Sequence, residues 1–149
     1  MPRQGDGRCF FRALAQGAHQ LKHDGQALDE GMEREAADEL RGQICQQLRD
    51  RKSEMEFFID GDYDSYVRQM AKPHTWGGEP ELAMAVHCVD HPIRVYVENQ
   101  SQQGLHMISE YGAEEHKGKE PINLHFVGGG HYDLLVPGIS PPSQPRGRL

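Results

Sequence analysis

Residues 5–14 of the chain read Gly-Asp-Gly-Arg-Cys-Phe-Phe-Arg-Ala-Leu, a glycine-rich turn that leads directly into an apolar segment. Apolar side chains then recur with the spacing of one helix face, at Phe11, Leu14, Ala15 and Ala18. We therefore predict a helix from Cys9 to Gln20. This prediction places the cysteine at the helix N-terminus.

A cysteine in this position can act as a nucleophile. The thiolate is the reactive form, and a thiol with the usual pKa of about 8.5 is mostly protonated at neutral pH. The dipole and unpaired amides of a helix N-terminus favour the thiolate. Gly5 and Gly7 permit a turn whose amides converge as in an oxyanion hole. Free cysteines are usually small buried hydrophobes. We interpret Cys45 and Cys88 in that way, within amphipathic helices, and for Cys9 this evidence alone leaves both interpretations open.

The next segments are also predicted to be helical. Asp29 can cap a helix that runs to about Arg51, and Asp62 can cap a short helix through Met70. The inner stripe of the longer helix is predicted at Ala37, Leu40, Ile44 and Leu48. Its outer face is predicted to carry Glu33, Arg34, Glu35, Asp38, Glu39 and Arg41. A further helix begins near Pro80, with an apolar stripe at Leu82, Ala85, Val86 and Val89.

After residue 92 the pattern becomes strand-like. Alternating or β-branched segments predict four strands, at Ile93–Val97, Leu105–Tyr111, Ile122–Val127 and Tyr132–Val136. Helices first and strands later predict an α+β fold with a small, mainly antiparallel sheet covered by helices. We expect one domain over residues 1–136, followed by a flexible tail, rich in proline, serine and arginine, over residues 137–149.

His131 is the best candidate for a base to serve Cys9. It follows the three glycines of residues 128–130 and begins a strand, where backbone can approach closely. Residues i and i+2 of a strand share a face, so the carboxylate of Asp133 can lie beside the imidazole and fix its tautomer. A hairpin turn before an edge strand would explain the glycines, but not why His131 and Asp133 share one face.

Composition limits the class of protein. Hydrophobic residues make up 36% and charged residues 26% of the 149 residues, which is typical of a globular domain. The net charge of −7 gives no electrostatic footprint for nucleic acid. No apolar run approaches the roughly 20 residues of a membrane span, and no signal peptide is visible. Three cysteines, an odd number, favour the cytoplasm or nucleus. We expect a monomer.

The sequence contains two alternative sites. His87 and His91 could share a zinc ion on a helix, but no second Cys/His pair has matching spacing, and Pro92 would end the helix there. We therefore do not predict a metal site. Trp76, the one tryptophan, could stack on a ligand, although a sole tryptophan more often packs in the core.

Three motifs together resemble the ovarian-tumour (OTU) family of deubiquitinating cysteine proteases. Residues 5–14 look like its nucleophile motif. Residues 76–82, Trp-Gly-Gly-Glu-Pro-Glu-Leu, are similar to its central tryptophan-glycine-glycine segment, and residues 130–133, Gly-His-Tyr-Asp, resemble its terminal histidine motif. The motifs occur in the family's order and span about residues 5–136. The resemblance implies a papain-like α+β fold.

The resemblance also implies an activity. A member of this family would hydrolyse the isopeptide bond at the C-terminal glycine of ubiquitin, and so remove ubiquitin from proteins or trim polyubiquitin, with no cofactor. Carried over by position, Cys9 is the nucleophile, His131 the base and Asp133 the orienting acid, with Asp6 as an alternative acid. The amide groups of the turn at Gly7 and Arg8 would hold the oxyanion. The implied substrate-binding residues are Trp76, Gly77, Gly78, Gly129 and Gly130.

Two features depart from the family. Arg8 stands where the family often has asparagine, and we expect activity to survive because the turn acts through its backbone. The segment before Gly5 is very short, so we expect an excised domain or a missing N-terminus. The alternative function is a non-catalytic ubiquitin-binding module on the same fold.

Overall fold

The computed structural model describes residues 7–99, 101 and 103–135. Among these residues, five α-helices come first: α1 (Cys9–Lys22), α2 (Glu30–Asp50), α3 (Lys52–Met55), α4 (Tyr63–Met70) and α5 (Glu79–Ala85). A 3-10 helix at Glu56–Phe58 separates α3 from α4. Four strands follow: β1 (Ile93–Glu98), β2 (Leu105–Tyr111), β3 (Ile122–Gly128) and β4 (His131–Leu135). The predicted α+β class and the order of elements are confirmed.

Aspartates begin α2 and α4, as predicted. The Asp29 side chain accepts the Met32 N–H at 2.8 Å, and the Asp62 side chain accepts the Ser65 N–H at 2.8 Å. Each carboxylate satisfies an amide that has no partner within its own helix. Local sequence chemistry was therefore sufficient to locate both helix starts.

Helix α5 is shorter than its apolar stripe predicts. It ends at Ala85, and the N–H groups of His87 and Cys88 bond to the carbonyls of Met84 and Ala85 in a tighter i to i−3 pattern. The prediction that Cys88 lies within a helix is therefore wrong. Val86 and Val89 are nevertheless buried, because the turn keeps them against the core.

The sheet has the order β2-β1-β3-β4. The outer pairings, β1 with β2 and β3 with β4, are antiparallel, whereas β1 and β3 are parallel. The sheet is thus mixed, with antiparallel pairings at both edges. In the β3–β4 pairing, His125 lies opposite Asp133 and Phe126 lies opposite Tyr132.

Helix α1 is the centre of the core. Phe10, Phe11 and Leu14 are fully buried, and α1 packs against α2 on one side and against β3 and β4 on another. Gly17 allows this close approach: a Cβ at that position would lie 2.7 Å from the Cγ2 atom of Ile122 on β3. The packing fixes the N-terminal end of α1 relative to the start of β4.

The predicted outer face of α2 is wrong at two positions. Arg34, Glu35, Asp38 and Glu39 are exposed, but Glu33 and Arg41 are buried at 4% and 3% exposure. Both buried residues share the 3- and 4-residue spacing of Ala37 and Ile44 and therefore lie on the inner stripe. Each is held there by hydrogen bonds that a helical pattern cannot reveal.

Several predictions lie outside the described residues. They concern Asp6, the end of the fourth predicted strand at Val136, the domain boundary at residue 136 and the tail at residues 137–149. Within the described part of the chain, no helix is long and apolar enough to cross a membrane.

Candidate active site

Cys9 is the first residue of α1 and is almost completely buried, at 1% exposure. Its Sγ atom lies 3.7 Å from the carbonyl oxygen of Gly130, the residue that precedes His131. The fold therefore brings the predicted nucleophile to the predicted histidine motif, although 121 residues separate the two contacting positions.

His131 begins β4 and pairs with Asp133 on the same face of the strand. The Nε2 atom of His131 lies 2.9 Å from Oδ1 of Asp133. The carboxylate therefore engages one ring nitrogen, and Nδ1 is the nitrogen left to face a thiol. The His131 side chain is 16% exposed and the Asp133 side chain 49% exposed, so this pair borders solvent.

Tyr132 points to the opposite face and joins the histidine motif to the cysteine motif. Its ring packs against Phe10, the residue after Cys9, at a centroid distance of 5.2 Å, and against Phe126 at 5.0 Å. Burial raises the pKa of Tyr132 to about 12, so the phenol stays neutral. This aromatic contact holds the start of β4 beside the N-terminus of α1.

The turn before Cys9 is closely packed. Gly7 has φ +69°, and a Cβ at this position would overlap the backbone carbonyl of His74. Its own carbonyl accepts a hydrogen bond from Arg41 at 3.0 Å. The Arg8 side chain turns towards α2 and binds Asp38 through Nε at 2.8 Å. Arg8, the departure from the family's asparagine, thus has a local partner.

The Trp-Gly-Gly segment lies beside both motifs. A Cβ on Gly77 would lie 2.5 Å from the Phe10 ring, so the backbone there presses on that ring. The Trp76 ring borders Gly130, where a Cβ would lie 3.1 Å from the Cε3 atom of Trp76. Trp76 is 37% exposed and is therefore a surface residue at the site rather than part of the core.

The three glycines before His131 all have positive φ angles, between 62° and 94°. No other atom lies within 4 Å of a Cβ built on Gly128 or Gly129, which leaves open space along this segment. Gly78 belongs to the Trp-Gly-Gly segment on the other side of the site and is the N-cap residue of α5.

Two buried charged residues at the site were missed by the sequence analysis. Arg41 of α2 donates to four backbone carbonyls, and burial lowers the pKa of its guanidinium. Glu81 of α5 is fully buried and accepts the Gly78 N–H at 2.8 Å and the Tyr66 hydroxyl at 2.7 Å. Burial raises the pKa of Glu81, and these hydrogen bonds oppose the rise.

The sequence contained a signal for each. Arg41 repeats the spacing of the apolar stripe at Ala37 and Ile44. Glu81 is the third residue after Gly78, the N-cap of α5, and its carboxylate accepts the Gly78 N–H, which is the glutamate half of a capping box.

The other thiols and histidines have different surroundings. Burial raises the pKa of the Cys45 thiol and raises that of Cys88 to about 11. His91 is buried with Nδ1 2.9 Å from the Glu120 carbonyl, and burial lowers its pKa. Among the described residues no group of three or more His, Cys, Asp or Glu side chains could hold a metal ion. The zinc alternative therefore gains no support from this part of the chain.

Comparison with known proteins agrees with this geometry. The sequence model of the OTU-like cysteine protease family matches residues 4–132. The chain is 46% identical over 145 residues to an Arabidopsis thaliana protein named OVARIAN TUMOR DOMAIN-containing deubiquitinating enzyme 4. That match covers 97% of this chain and 45% of the relative. The chain is also 32% identical to an Arabidopsis thaliana protein named OVARIAN TUMOR DOMAIN-containing deubiquitinating enzyme 3. This match covers 89% of this chain and 65% of the relative.

The fold is also similar to a solved structure, described as an ovarian tumor (OTU) domain in complex with ubiquitin. The TM-score is 0.64 at 20% identity, and the match covers 90% of this chain and 66% of that chain. At this identity the likeness shows the fold alone. The chain spans 45% and 65% of the two plant relatives, so their activity is not transferred by similarity alone.

Proposed function

Because the chain belongs to the OTU-like cysteine protease family, we propose that it is a deubiquitinase, which hydrolyses isopeptide bonds at the C-terminal glycine of ubiquitin. One observation carries this proposal: Sγ of Cys9 lies 3.7 Å from the residue that precedes His131, and His131 is itself paired with Asp133. These two contacts support a nucleophile at Cys9, a base at His131 and an orienting acid at Asp133.

The reaction has two halves. In the first, the Cys9 thiolate attacks the glycine carbonyl carbon, and the C–N bond breaks as His131 gives a proton to the leaving lysine amine. A thioester joins Cys9 to ubiquitin at this point. In the second half, water gives a proton to His131 and attacks the thioester, which releases the ubiquitin carboxylate and the thiol. No metal or organic cofactor enters either half.

Asp133 is the orienting acid in this proposal. Its contact with Nε2 at 2.9 Å supports a tautomer with the proton on Nε2 and the basic lone pair on Nδ1. Asp6 stays an alternative acid and lies outside the described residues. The oxyanion would be held by backbone amides of the turn at Gly7 and Arg8 and of Cys9, at the N-terminal end of α1.

The diglycine tail of ubiquitin would lie between two walls. One wall is the Trp76 ring with the backbone of Gly77 and Gly78, and the other is the backbone of Gly129 and Gly130, with open space beside Gly129. The close approach of Trp76 leaves no room for a side chain on Gly130 itself, so a glycine at this position lets the ring lie against the segment before His131. Trp76 is partly exposed and can cover the tail.

The composition supports a proposal for the cellular compartment and the partner. Three cysteines and an acidic charge of −7 favour the cytoplasm or nucleus and a protein partner, ubiquitin or polyubiquitin, rather than nucleic acid. We further propose that the domain, over residues 1–136, acts as a monomer.

A ubiquitin probe with a C-terminal electrophile tests the proposal. We expect it to add one ubiquitin to the wild-type protein and none to Cys9→Ala, because the Cys9 thiol lies against Gly130, the residue that precedes His131. Cys88→Ala is the matched control and should be labelled like the wild type, since a thiol with a pKa of about 11 is almost entirely protonated at neutral pH. Electrophoresis and intact mass measure the adduct.

The result that overturns the proposal is a folded wild-type protein that takes no label and cleaves no diubiquitin of any linkage. Measurable binding of ubiquitin without turnover would instead favour the non-catalytic binding module. The linkage panel, repeated with Cys9→Ala, also identifies which isopeptide bonds are cut.

A further inference from the structure

Arg41 is a buried cation whose hydrogen bonds converge on the active-site turn. Nη1 donates to the carbonyls of Met70 and Thr75, both at 2.9 Å. Nη2 donates to the carbonyls of Gly7 and Pro73, both at 3.0 Å. One guanidinium therefore joins α2 to the turn before Cys9 and to the loop that leads into Trp76.

The guanidinium is also fixed in its plane. Its central carbon lies 4.1 Å from the centroid of the Phe11 ring, which belongs to the buried face of α1. Stacking on an aromatic ring and forked donation are properties of arginine that lysine does not share. The side chain is thus held on one face by α1 and at its end by four carbonyls.

The bond to Gly7 determines the direction of the next amide. The Gly7–Arg8 peptide is trans, and in a trans peptide the C=O and the following N–H point in opposite directions. With the Gly7 carbonyl directed into α2 and held by Arg41, the Arg8 N–H is directed away from α2. Rotation of this one peptide would reverse both groups and place a carbonyl oxygen where the oxyanion proposal needs a donor.

We propose that Arg41 is a positioning residue that fixes the Gly7–Arg8 peptide with the Arg8 N–H directed at the oxyanion. The inference rests on the proposed function in that it takes Cys9 as the nucleophile. Arg41 acts through the peptide and does not touch the substrate.

A second contact from α2 supports this role. Asp38 lies one helical turn before Arg41 and binds the Arg8 side chain through Nε at 2.8 Å and Nη2 at 3.3 Å. The carbonyl before Arg8 and the side chain of Arg8 are thus both held by the same helix. The two contacts act on either side of the N–H that the proposal assigns to the oxyanion.

The test compares Arg41→Lys with Leu48→Ala. Lysine keeps the charge but brings one donor atom instead of a fork, so it cannot hold the Gly7 carbonyl and the loop carbonyls together. Leu48 is fully buried and lies two turns further along α2 than Arg41, so Leu48→Ala is a control for lost stability. Both are measured below their unfolding temperatures. Arg41→Gln, which keeps two donors without the charge, is the second variant if Arg41→Lys does not fold.

Three readouts separate positioning from a merely structural role. We expect Arg41→Lys to lower kcat for a ubiquitin C-terminal amide about 100-fold, the order of effect of a lost oxyanion donor. Binding of ubiquitin aldehyde, whose adduct carries the oxyanion, should weaken in parallel. Ubiquitin binding to the Cys9→Ala background and alkylation of Cys9 by iodoacetamide, which forms no oxyanion, should change less than about twofold. Leu48→Ala should keep the wild-type kcat.

Other outcomes overturn the inference. If all readouts of Arg41→Lys fall together, or fall as they do in Leu48→Ala, Arg41 acts only through stability. If none of these readouts falls, the orientation of the Gly7–Arg8 peptide does not depend on Arg41. A crystal structure of Arg41→Lys decides the matter without any substrate, because the inference requires the Gly7–Arg8 peptide to rotate. An inactive wild-type protein would overturn the proposed function. The orientation of the Gly7–Arg8 peptide in the Arg41→Lys crystal structure would still test the present inference.

Discussion

The two halves of the site are held in different ways. The nucleophile side comprises Gly7 to Phe11, Arg41 and the loop at residues 70–78, and its cysteine is 1% exposed. The histidine side comprises Gly128 to Asp133, and the Asp133 side chain is 49% exposed. A Cβ on Gly7 would overlap backbone, whereas one on Gly128 or Gly129 would meet nothing within 4 Å.

This difference assigns different tasks to the two sides. The nucleophile side is part of the core, so its backbone amides are set by packing and can be pre-organised for an oxyanion. The histidine side relies on one short hydrogen bond between His131 and Asp133 and on Tyr132 packing against Phe10. Changes on the first side should cost stability and activity together, and changes on the second should cost mainly activity.

The largest contrast is expected between two alanine substitutions at glycines. Gly7→Ala places a side chain at φ +69° and into the His74 carbonyl, so the turn must move. Left-handed backbone costs about 1–2 kcal/mol without any clash. A displacement of the turn by about 1 Å lowers kcat roughly 100-fold. Gly129 has φ +62°, but a Cβ there would meet no other atom within 4 Å. For Gly129→Ala we therefore expect only the loss of stability that comes from the left-handed backbone.

Chemical denaturation and turnover of a ubiquitin C-terminal amide measure both variants. Gly7→Ala should lose distinctly more free energy of unfolding than Gly129→Ala and far more kcat. Equal losses of stability at the two glycines would contradict the comparison of a packed side with an open one.

The sequence predicted those parts of the structure that depend on local chemistry. Asp29 and Asp62 begin helices because their carboxylates cap nearby amides, and the glycines before His131 mark a turn regardless of the rest of the fold. Cys9 and His131 were predicted as site residues from similar local signals and from the order of three motifs. Their approach in space depends on how α1 packs on β4, which no local pattern specifies.

The residues that the sequence analysis missed depend on distant partners. Arg41 bonds to Gly7, 34 residues away, and to a loop about 30 residues away, so its burial follows from tertiary structure. A charged residue at a stripe position is ambiguous from sequence, since solvation and a buried set of acceptors give the same pattern. Helix α5 ended early for a related reason: its stripe continues to Val89, but a tighter turn replaces the helix.

A smaller effect, confined to activity, is expected at Asp133. Asp133→Asn keeps an oxygen for the Nε2–H bond but removes the charge, and a hydrogen bond to a charged group contributes about 1.5–3 kcal/mol. We therefore expect kcat to fall roughly 10- to 100-fold, with the lower end favoured by exposure to water. The free energy of unfolding should change by less than about 0.5 kcal/mol, as is usual for a surface change.

Asp6→Asn is the matched variant for this prediction, because it makes the same chemical change in the alternative acid. If Asp6→Asn lowers kcat and Asp133→Asn does not, the orienting acid belongs to the nucleophile side, and the division of tasks between the two sides must be redrawn. Ubiquitin C-terminal amide turnover and thermal unfolding measure both variants.

The smallest predicted effect concerns stability alone and tests whether the nucleophile side is dry. Burial raises the pKa of Glu81 above its ordinary value of 4.5, so between that value and the folded pKa the folded state binds more protons than the unfolded chain. The stabilising contribution of Glu81 is therefore fully present below about pH 4.5 and is lost as pH rises through the folded pKa. Glu81→Gln has no carboxyl group to titrate and removes this loss. The free energy of unfolding of Glu81→Gln should therefore increase relative to that of the wild type as pH rises.

Tyr66→Phe supplies the opposite change. The Tyr66 hydroxyl donates to Glu81 at 2.7 Å and lowers the pKa of that carboxyl, in opposition to burial. Without the hydroxyl, the pKa of Glu81 should rise further, and the loss of stability should extend to higher pH than in the wild type. Urea unfolding between pH 4 and about pH 8 measures all three proteins. Parallel curves would mean that water reaches Glu81, and the nucleophile side would then be as open to solvent as the histidine side.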